Sequence, residues 1–252
     1  MSEGKMPTIM CLASEFKGVP FIREAKRLGS DIVLLVTEKD AAEAWPLESI
    51  DTFFTMPDLH TQPNITYAVT YLARSHQIDR IVALDDYDVA TAASLREHMR
   101  LPGMGETVAR RFRDKLAMRV RAREAGIAVP DFTGIFNYDD LREFMGRVSP
   151  PWVLKPRFAA GAHGIQKIYE SEALWRALDG LGDQQSFFLL ERFLPGDVYH
   201  VDSIISEGKP VFVTSRKYGA PPLAITQGGG IFATRILDRE SEQHQILEAA
   251  NR

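Results

Sequence analysis

Two uninterrupted apolar runs near the start, TIMCLA at 8–13 and DIVLLVT at 31–37, constrain this chain more than any other feature. Between them Val19, Ile22, Ala25 and Leu28 recur at helical spacing, and Gly29 stands where a helix would end. Runs that are apolar at every position mark strands buried on both faces. Strand, helix and strand within about thirty residues is the βαβ unit of a parallel sheet. Phe53-Phe54 is a further short strand candidate closed by Pro57, and Asn64 is the expected cap of a helix carrying Ile65, Ala68, Val69 and Leu72. DRIVAL at 79–84 is the next strand. Asp85, Asp86 and Asp88 follow it at the carboxyl end, where open α/β sheets bind ligands; the same acids equally suit the start of the helix at 89–99.

Residues 7–100 are therefore expected to form one α/β domain, with Leu101-Pro102-Gly103 as its boundary. Its first strand is followed by Ser14-Glu15-Phe16-Lys17-Gly18 rather than G-x-G-x-x-G. Glu38 stands where a ribose-binding acid would sit, but without the glycines it does not support an NAD-type oxidoreductase.

Beyond the boundary, 106–126 reads as one long basic helix, with Val108, Phe112, Leu116 and Val120 at spacing four. It holds seven Lys or Arg at 110, 111, 113, 115, 119, 121 and 123, most expected to form a solvated face. A strand at 132–136 and a helix at 139–148 precede PWVLKPRFAAGAHGIQKI at 151–168. There Trp152-Val153-Leu154 is a strand, Lys155 lies at its end, and small residues with two glycines separate it from a returning strand at 165–169. Glycine and alanine let backbone N–H groups approach anionic oxygens, and the lysine adds a point charge. A hairpin covering phosphates and a plain glycine hairpin with a surface lysine both fit this stretch alone.

Ser171 is the expected cap of a helix at 172–181, and SFFLL at 186–190 is a dense apolar strand running into Glu191-Arg192-Phe193-Leu194-Pro195-Gly196-Asp197. Alternation over 198–206, the turn Glu207-Gly208 and a return over 209–214 form a hairpin. The antiparallel pattern makes the second half α+β. The polar stretch 215–230 reads as a long loop, followed by a strand at 231–237 and a helix from 240.

Composition narrows the function classes. With 45% hydrophobic and 25% charged residues the chain is an ordinary globular sequence, and its net charge of −4 argues against a general nucleic-acid binder. One cysteine, Cys11, excludes an intrachain disulfide and reads as a core residue in a reducing compartment. The start lacks the apolar core of a signal peptide and no run approaches membrane-spanning length, so the expected location is cytoplasmic.

Taken together, Arg113-Asp114-Lys115-Leu116, the run AGIAVP at 125–130, Val153-Leu154-Lys155-Pro156, the loop 158–164, the run LERFLPGD at 190–197 and Val201-Asp202 resemble the ATP-grasp superfamily, which includes biotin carboxylase and D-alanine–D-alanine ligase. The pieces fall in the family's order over about residues 100–215. The resemblance implies a Rossmann-like pre-ATP-grasp domain at 1–103, a linker helix and small lid subdomain at 104–190, and an incomplete start of the C-terminal ATP-grasp subdomain at 191–252. It further implies an ATP-dependent carboxylate–amine or carboxylate–thiol ligase working through an acyl phosphate. Lys115 and Lys155 would reach the phosphates, and Gly161, His163 and Gly164 belong to the lid over them. Glu191 and the backbone of Arg192, Phe193 and Leu194 would hold adenine, with Phe158, Ile165 or Phe193 as apolar walls and Asp197 on the ribose.

His163 reads either as a phosphate contact or as a solvated tip residue, and His200 as a packed histidine. Asp202, Arg216 and Lys217 are candidate substrate or phosphate contacts, with a solvated basic pair as the equal alternative for the last two. The resemblance also implies Mg²⁺, but the family's Glu and Glu-x-Asn ligands have no counterpart here, so no metal ligand is expected within this chain and the ligands would lie beyond residue 252. A ligase cut short, without turnover, with weak ATP binding or none and with exposed apolar surface, is the expectation. The alternative is a non-catalytic nucleotide-sensing or partner-binding module. Expected partners are a small carboxylic or amino acid, with no nucleic acid and no membrane; a homodimer is admissible.

Overall fold

The computed structural model describes residues 6–251. The chain divides into two compact units at Arg113/Asp114. Among the described residues no helix is long and apolar enough to cross a membrane.

The first unit contains β1 (Thr8–Ala13), α1 (Val19–Arg27), β2 (Asp31–Thr37), β3 (Thr52–Met56), α2 (Asn64–Leu72), β4 (Arg80–Ala83), α3 (Val89–His98) and α4 (Glu106–Arg113). Its strands form one parallel sheet in the order β3-β2-β1-β4. The two-residue period of a strand explains the continuous apolar runs. Met10, Leu12, Val33 and Leu35 face one way and pack with Ile65, Val69 and Leu95 from α2 and α3. Cys11, Ala13, Ile32, Leu34 and Val36 face the other way, against Ile22 and Ala25 of α1. Cys11 is the core residue expected; burial pushes its thiol up to about 12.

Because β1 lies between β2 and β4, the winding reverses at the carboxyl ends of β1 and β4. Asp85 accepts from the Tyr87 N–H at 2.9 Å and caps the single turn 86–88 that leads into α3, so the capping reading holds for it. Asp88, wholly buried, accepts from the Ser14 N–H at 2.8 Å with one oxygen and meets His60 Nε2 at 3.0 Å with the other. Asp58 lies 3.3 Å from His60 Nδ1. One carboxylate thus ties the end of β1 to the segment between β3 and α2.

The second unit contains α5 (Lys115–Glu124), β5 (Phe132–Gly134), α6 (Tyr138–Arg147), β6 (Trp152–Pro156), β7 (Gln166–Ile168), α7 (Ser171–Leu181), β8 (Phe188–Arg192), β9 (Tyr199–Ser206), β10 (Lys209–Tyr218), α8 (Pro222–Gly228), β11 (Thr234–Ile236) and α9 (Glu242–Asn251). An antiparallel sheet in the order β5-β8-β6-β7 packs one face on α6 and α7, through Leu141, Phe144, Trp152, Leu154, Leu174 and Leu190. Asn137 caps α6 by accepting from the Asp139 N–H at 2.8 Å. A second antiparallel sheet runs β11-β10-β9. The α/β then α+β class is as expected.

Three local expectations are corrected. The single long helix at 106–126 is two helices, because Asp114 is extended (φ −86°, ψ 109°) and its side chain caps the Leu116 and Ala117 N–H groups. The stretch 215–230 is not one loop: Arg216, Lys217 and Tyr218 stay in β10, paired with β9 and β11, and Pro222 opens α8 from a first-turn position that needs no N–H. Asn64 and Ser171 are first helical residues rather than caps, with Pro63 and Glu170 before them.

The hydrogen bond that His60 donates to Asp88, with the Asp88 and Asp58 charges, raises the His60 pKa against the opposing effect of burial. A raised folded pKa stabilises fully below the unfolded value of about 6.5 and is lost as pH rises through the folded value. Urea denaturation across the neutral range is expected to show stability falling over that window in the wild type and a flatter profile in His60→Gln. An unchanged profile in the variant contradicts this role.

Candidate functional site

Strands β6 and β8 are antiparallel neighbours in the register Val153↔Glu191 and Lys155↔Leu189. By the same two-residue period, Trp152, Leu154 and Leu190 face the helices, while Val153, Lys155 and Glu191 share the opposite face. Lys155 and Glu191 are diagonal neighbours there, both buried, and the Lys155 Nζ donates to Glu191 Oε1. From α5, Arg119 Nε donates to Glu191 Oε2 at 3.2 Å. Two cations on one carboxylate leave a positive charge in excess. Burial lowers the Lys155 pKa, opposed by the Glu191 charge and hydrogen bond.

This cluster lines a cavity of about 490 Å³. Its walls include Val153, Ile165, Phe193, Leu194, Val198 and Leu223, and Ala162 reaches it from the small-residue loop. The crossover after β8 passes along the rim. There the Arg192 N–H donates to the Asp131 carbonyl at 2.8 Å and the Phe193 N–H to the Pro151 carbonyl at 3.0 Å. An apolar slot lined by a backbone crossover and by a buried cluster with excess positive charge suits a flat heterocycle carrying an anionic tail.

Of the residues singled out from sequence, the structure brings Lys155, Ile165, Glu191, Arg192, Phe193 and Leu194 to this cavity. The others sit beside it or apart from its lining. Gly161 and Gly164 have φ of +66° and +69°, backbone that glycine adopts without strain, and His163 is exposed between them. Lys115 stands at the root of that loop, its N–H on the Arg157 carbonyl at 3.0 Å and its Nζ on the Arg157 and Ala159 carbonyls. Phe158 has Arg157 over its ring. Asp197 pairs with Lys217, and Asp202 lies 3.8 Å from Arg216. His200 packs against Tyr218, ring centroids 5.0 Å apart.

Sequence reasoning missed two contacts. Arg119 stands four residues after Lys115 on one helix face, but nothing in a run of arginines tells which one turns inward. Asp114 is the other: Arg157 clasps it through Nε at 2.9 Å and through Nη2, and donates Nη1 to the Ser186 carbonyl at 2.9 Å. Burial works to raise the Asp114 pKa, but the Arg157 hydrogen bond and charge outweigh it and hold the carboxyl below the usual range. The clasp fixes the start of α5 to the strand end from which the small-residue loop leaves.

Residues 22–103 match the sequence profile of the ATP-grasp N-terminal domain. The whole chain superposes on the crystal structure of L-amino acid ligase from Bacillus licheniformis with a TM-score of 0.74 at 17% identity, covering 98% of this chain and 60% of that one. The first unit carries an ATP-grasp N-terminal domain, and the chain shares the fold of that ligase. N5-carboxyaminoimidazole synthetase from Staphylococcus aureus, complexed with ADP, is similar too, with a TM-score of 0.71 at 16% identity over 98% of this chain and 62% of that one. In sequence, the L-arginine-specific L-amino acid ligase of Bacillus subtilis is 27% identical over 151 residues, 58% of this chain. The matched stretch spans 37% of that relative's length.

Asp114→Ala removes both the cap of α5 and the partner of a nearly buried guanidinium. A loss of about 2–4 kcal/mol in the stability of the second unit is expected by chemical denaturation. Asp114→Asn keeps the capping oxygen and is expected to lose distinctly less. Equal losses in the two variants would show that the cap contributes nothing.

Proposed function

We propose that this chain is the ATP-binding portion of an ATP-dependent ligase that joins a carboxylate to an amine, or to a thiol, through an acyl phosphate. The observation that carries the reading is the buried Lys155–Glu191–Arg119 cluster at one end of an apolar cavity whose rim is a strand-to-loop crossover. Adenine lies between Ile165 and the Phe193–Leu194 side, its edge on Glu191 and the crossover backbone. With the Arg192 and Phe193 N–H groups used on protein carbonyls, Leu194 is the crossover N–H, among the described residues, with no backbone partner. Lys155 turns from Glu191 toward a phosphate, and Arg119 keeps the carboxylate neutralised as it does so. Lys115, at the root of the small-residue loop, links closure of that loop to the same phosphates, with Gly161, His163 and Gly164 at its tip. Asp197 accepts from the ribose hydroxyls after exchanging Lys217 for water.

The cavity lining suits a nucleotide, and among the described residues it offers no uncommitted carboxylate to Mg²⁺. Among the described residues no group of three or more His, Cys, Asp or Glu side chains could hold a metal. The carboxylate on the cavity wall, Glu191, is already held by two cations. No step is therefore routed through a metal on these residues. The chemistry this chain supplies is binding, orientation and charge neutralisation, which is where catalysis of phosphoryl transfer mainly rests. The named specificities of the similar proteins favour an amino acid as substrate, with Asp202, Arg216 and Lys217 as candidate contacts, and a cytoplasmic setting suits an ATP-consuming reaction.

Thermal unfolding with excess ATP tests this. ATP is expected to raise the wild-type midpoint and NADH to leave it unchanged, with the ATP response lost in Lys155→Ala. An equal response in the variant, or one to NADH alone, would overturn the reading.

A further inference from the structure

A second cavity of the second unit, of about 320 Å³, lies where α5 and α6 both end. Arg123 comes to it from the last turn of α5, Arg147 from the last turn of α6, and Asp131 from the segment that leads into β5. Ile127, Val129 and Phe132 supply an apolar wall. Pro130 lines this cavity and the one at Lys155 alike, so one short segment borders both.

The positive charge here is not matched. Arg147 Nη1 donates to Asp131 Oδ1 at 2.8 Å, and the other nitrogens of that guanidinium have no carboxylate among the described residues. Arg123 lies over the Phe132 ring, 4.7 Å from its centroid, and pairs with no carboxylate among the described residues; the adjacent Glu124 lies 3.8 Å from Arg121 instead. Two guanidinium groups against one carboxylate leave one positive charge in excess. A helix C-terminus ordinarily opposes an anion. At the end of α5, however, the carbonyls of Arg121, Ala122 and Arg123 already accept from the Ala125, Ile127 and Gly126 N–H groups at 3.1, 2.9 and 3.0 Å. After that turn Ala128 and Val129 line the cavity, and neither N–H donates to a described residue. Donors for an oxyanion thus come from three segments, beside an apolar wall.

We propose that this cavity binds a small phosphate monoester, its phosphoryl oxygens on Arg123 and Arg147 and its organic part against Ile127 and Val129. Donors on three segments suit the three oxygens of a phosphoryl group better than the two of a planar carboxylate. Asp131 opposes the ligand's charge while it holds Arg147. The Asp131 carbonyl accepts the Arg192 N–H at 2.8 Å, and Phe132 pairs with Glu191, so the ligand sits against the segment that anchors the crossover. The assignment does not draw on the ligase reading.

Calorimetric titration of the whole chain with phenyl phosphate, benzoate and phenol tests the site. Phenyl phosphate is expected to bind, benzoate about tenfold more weakly, and phenol not at all. Arg123→Gln and Arg147→Gln are each expected to weaken phenyl phosphate by about fivefold or more, and Asp131→Asn to tighten it by removing the opposing charge. Both arginines are exposed, so neither change threatens folding, and an unchanged thermal midpoint without ligand checks this. Lys155→Ala is expected to bind phenyl phosphate as the wild type does, which separates this cavity from the one at Lys155. Binding lost in Lys155→Ala, binding unchanged in both arginine variants, weaker binding in Asp131→Asn, benzoate or phenol binding as tightly as phenyl phosphate, or no binding of phenyl phosphate would each overturn the inference. Absent phenyl phosphate binding beside an intact ATP response would overturn this inference alone and leave the nucleotide reading standing.

Discussion

The second unit depends on one buried carboxylate shared between two cations. Glu191 alone on that sheet face would be costly to ionise, and Lys155 alone would shed its proton. Joined, and with Arg119 added, they keep a net positive charge stable in an apolar surround, where a charge acts with little screening. The arrangement is also exchangeable. In the proposed binding mode, a phosphate offered to Lys155 would replace one anionic partner by another, and Arg119 would keep Glu191 from being left unpaired. Such a cluster costs less to open than an isolated buried pair.

The positions of these groups follow from strand period and helix capping rather than from any special device. Two-residue alternation sends Trp152, Leu154 and Leu190 to the helices and Lys155 and Glu191 to the cavity. The break at Asp114 aims α5 so that Arg119 reaches Glu191 and Lys115 reaches the loop root. Asp114 therefore serves as cap, as partner of Arg157 and as the point where the two compact units divide. In the first unit Asp88 has the corresponding part, tying the end of β1 to the segment before α2.

The parallel sheet was legible because continuous apolar runs have few alternatives, and the order of small motifs gave the ATP-grasp resemblance. The cavity residues after β8 were reached through that resemblance, on the run LERFLPGD. What escaped depends on pairs distant in sequence. Arg157 and Asp114 are 43 residues apart and Arg119 and Glu191 are 72 apart, so no local pattern marks either pair. The helix break escaped because the apolar spacing runs on past Asp114 without interruption, and nothing local marks its carboxylate turning onto the next N–H groups. The strand at 216–218 escaped because its polar composition reads as loop, whereas ladder pairing on both sides makes it sheet.

The central claim is that Lys155 exchanges Glu191 for a nucleotide phosphate while adenine lies against the crossover. A crystal structure of this chain grown with ADP tests it most directly. The account predicts adenine packed between Ile165 and Phe193–Leu194, Lys155 Nζ on a phosphate oxygen, and Glu191 still bound by Arg119. ADP seated elsewhere, or Lys155 still on Glu191 with the nucleotide in the cavity, would contradict it.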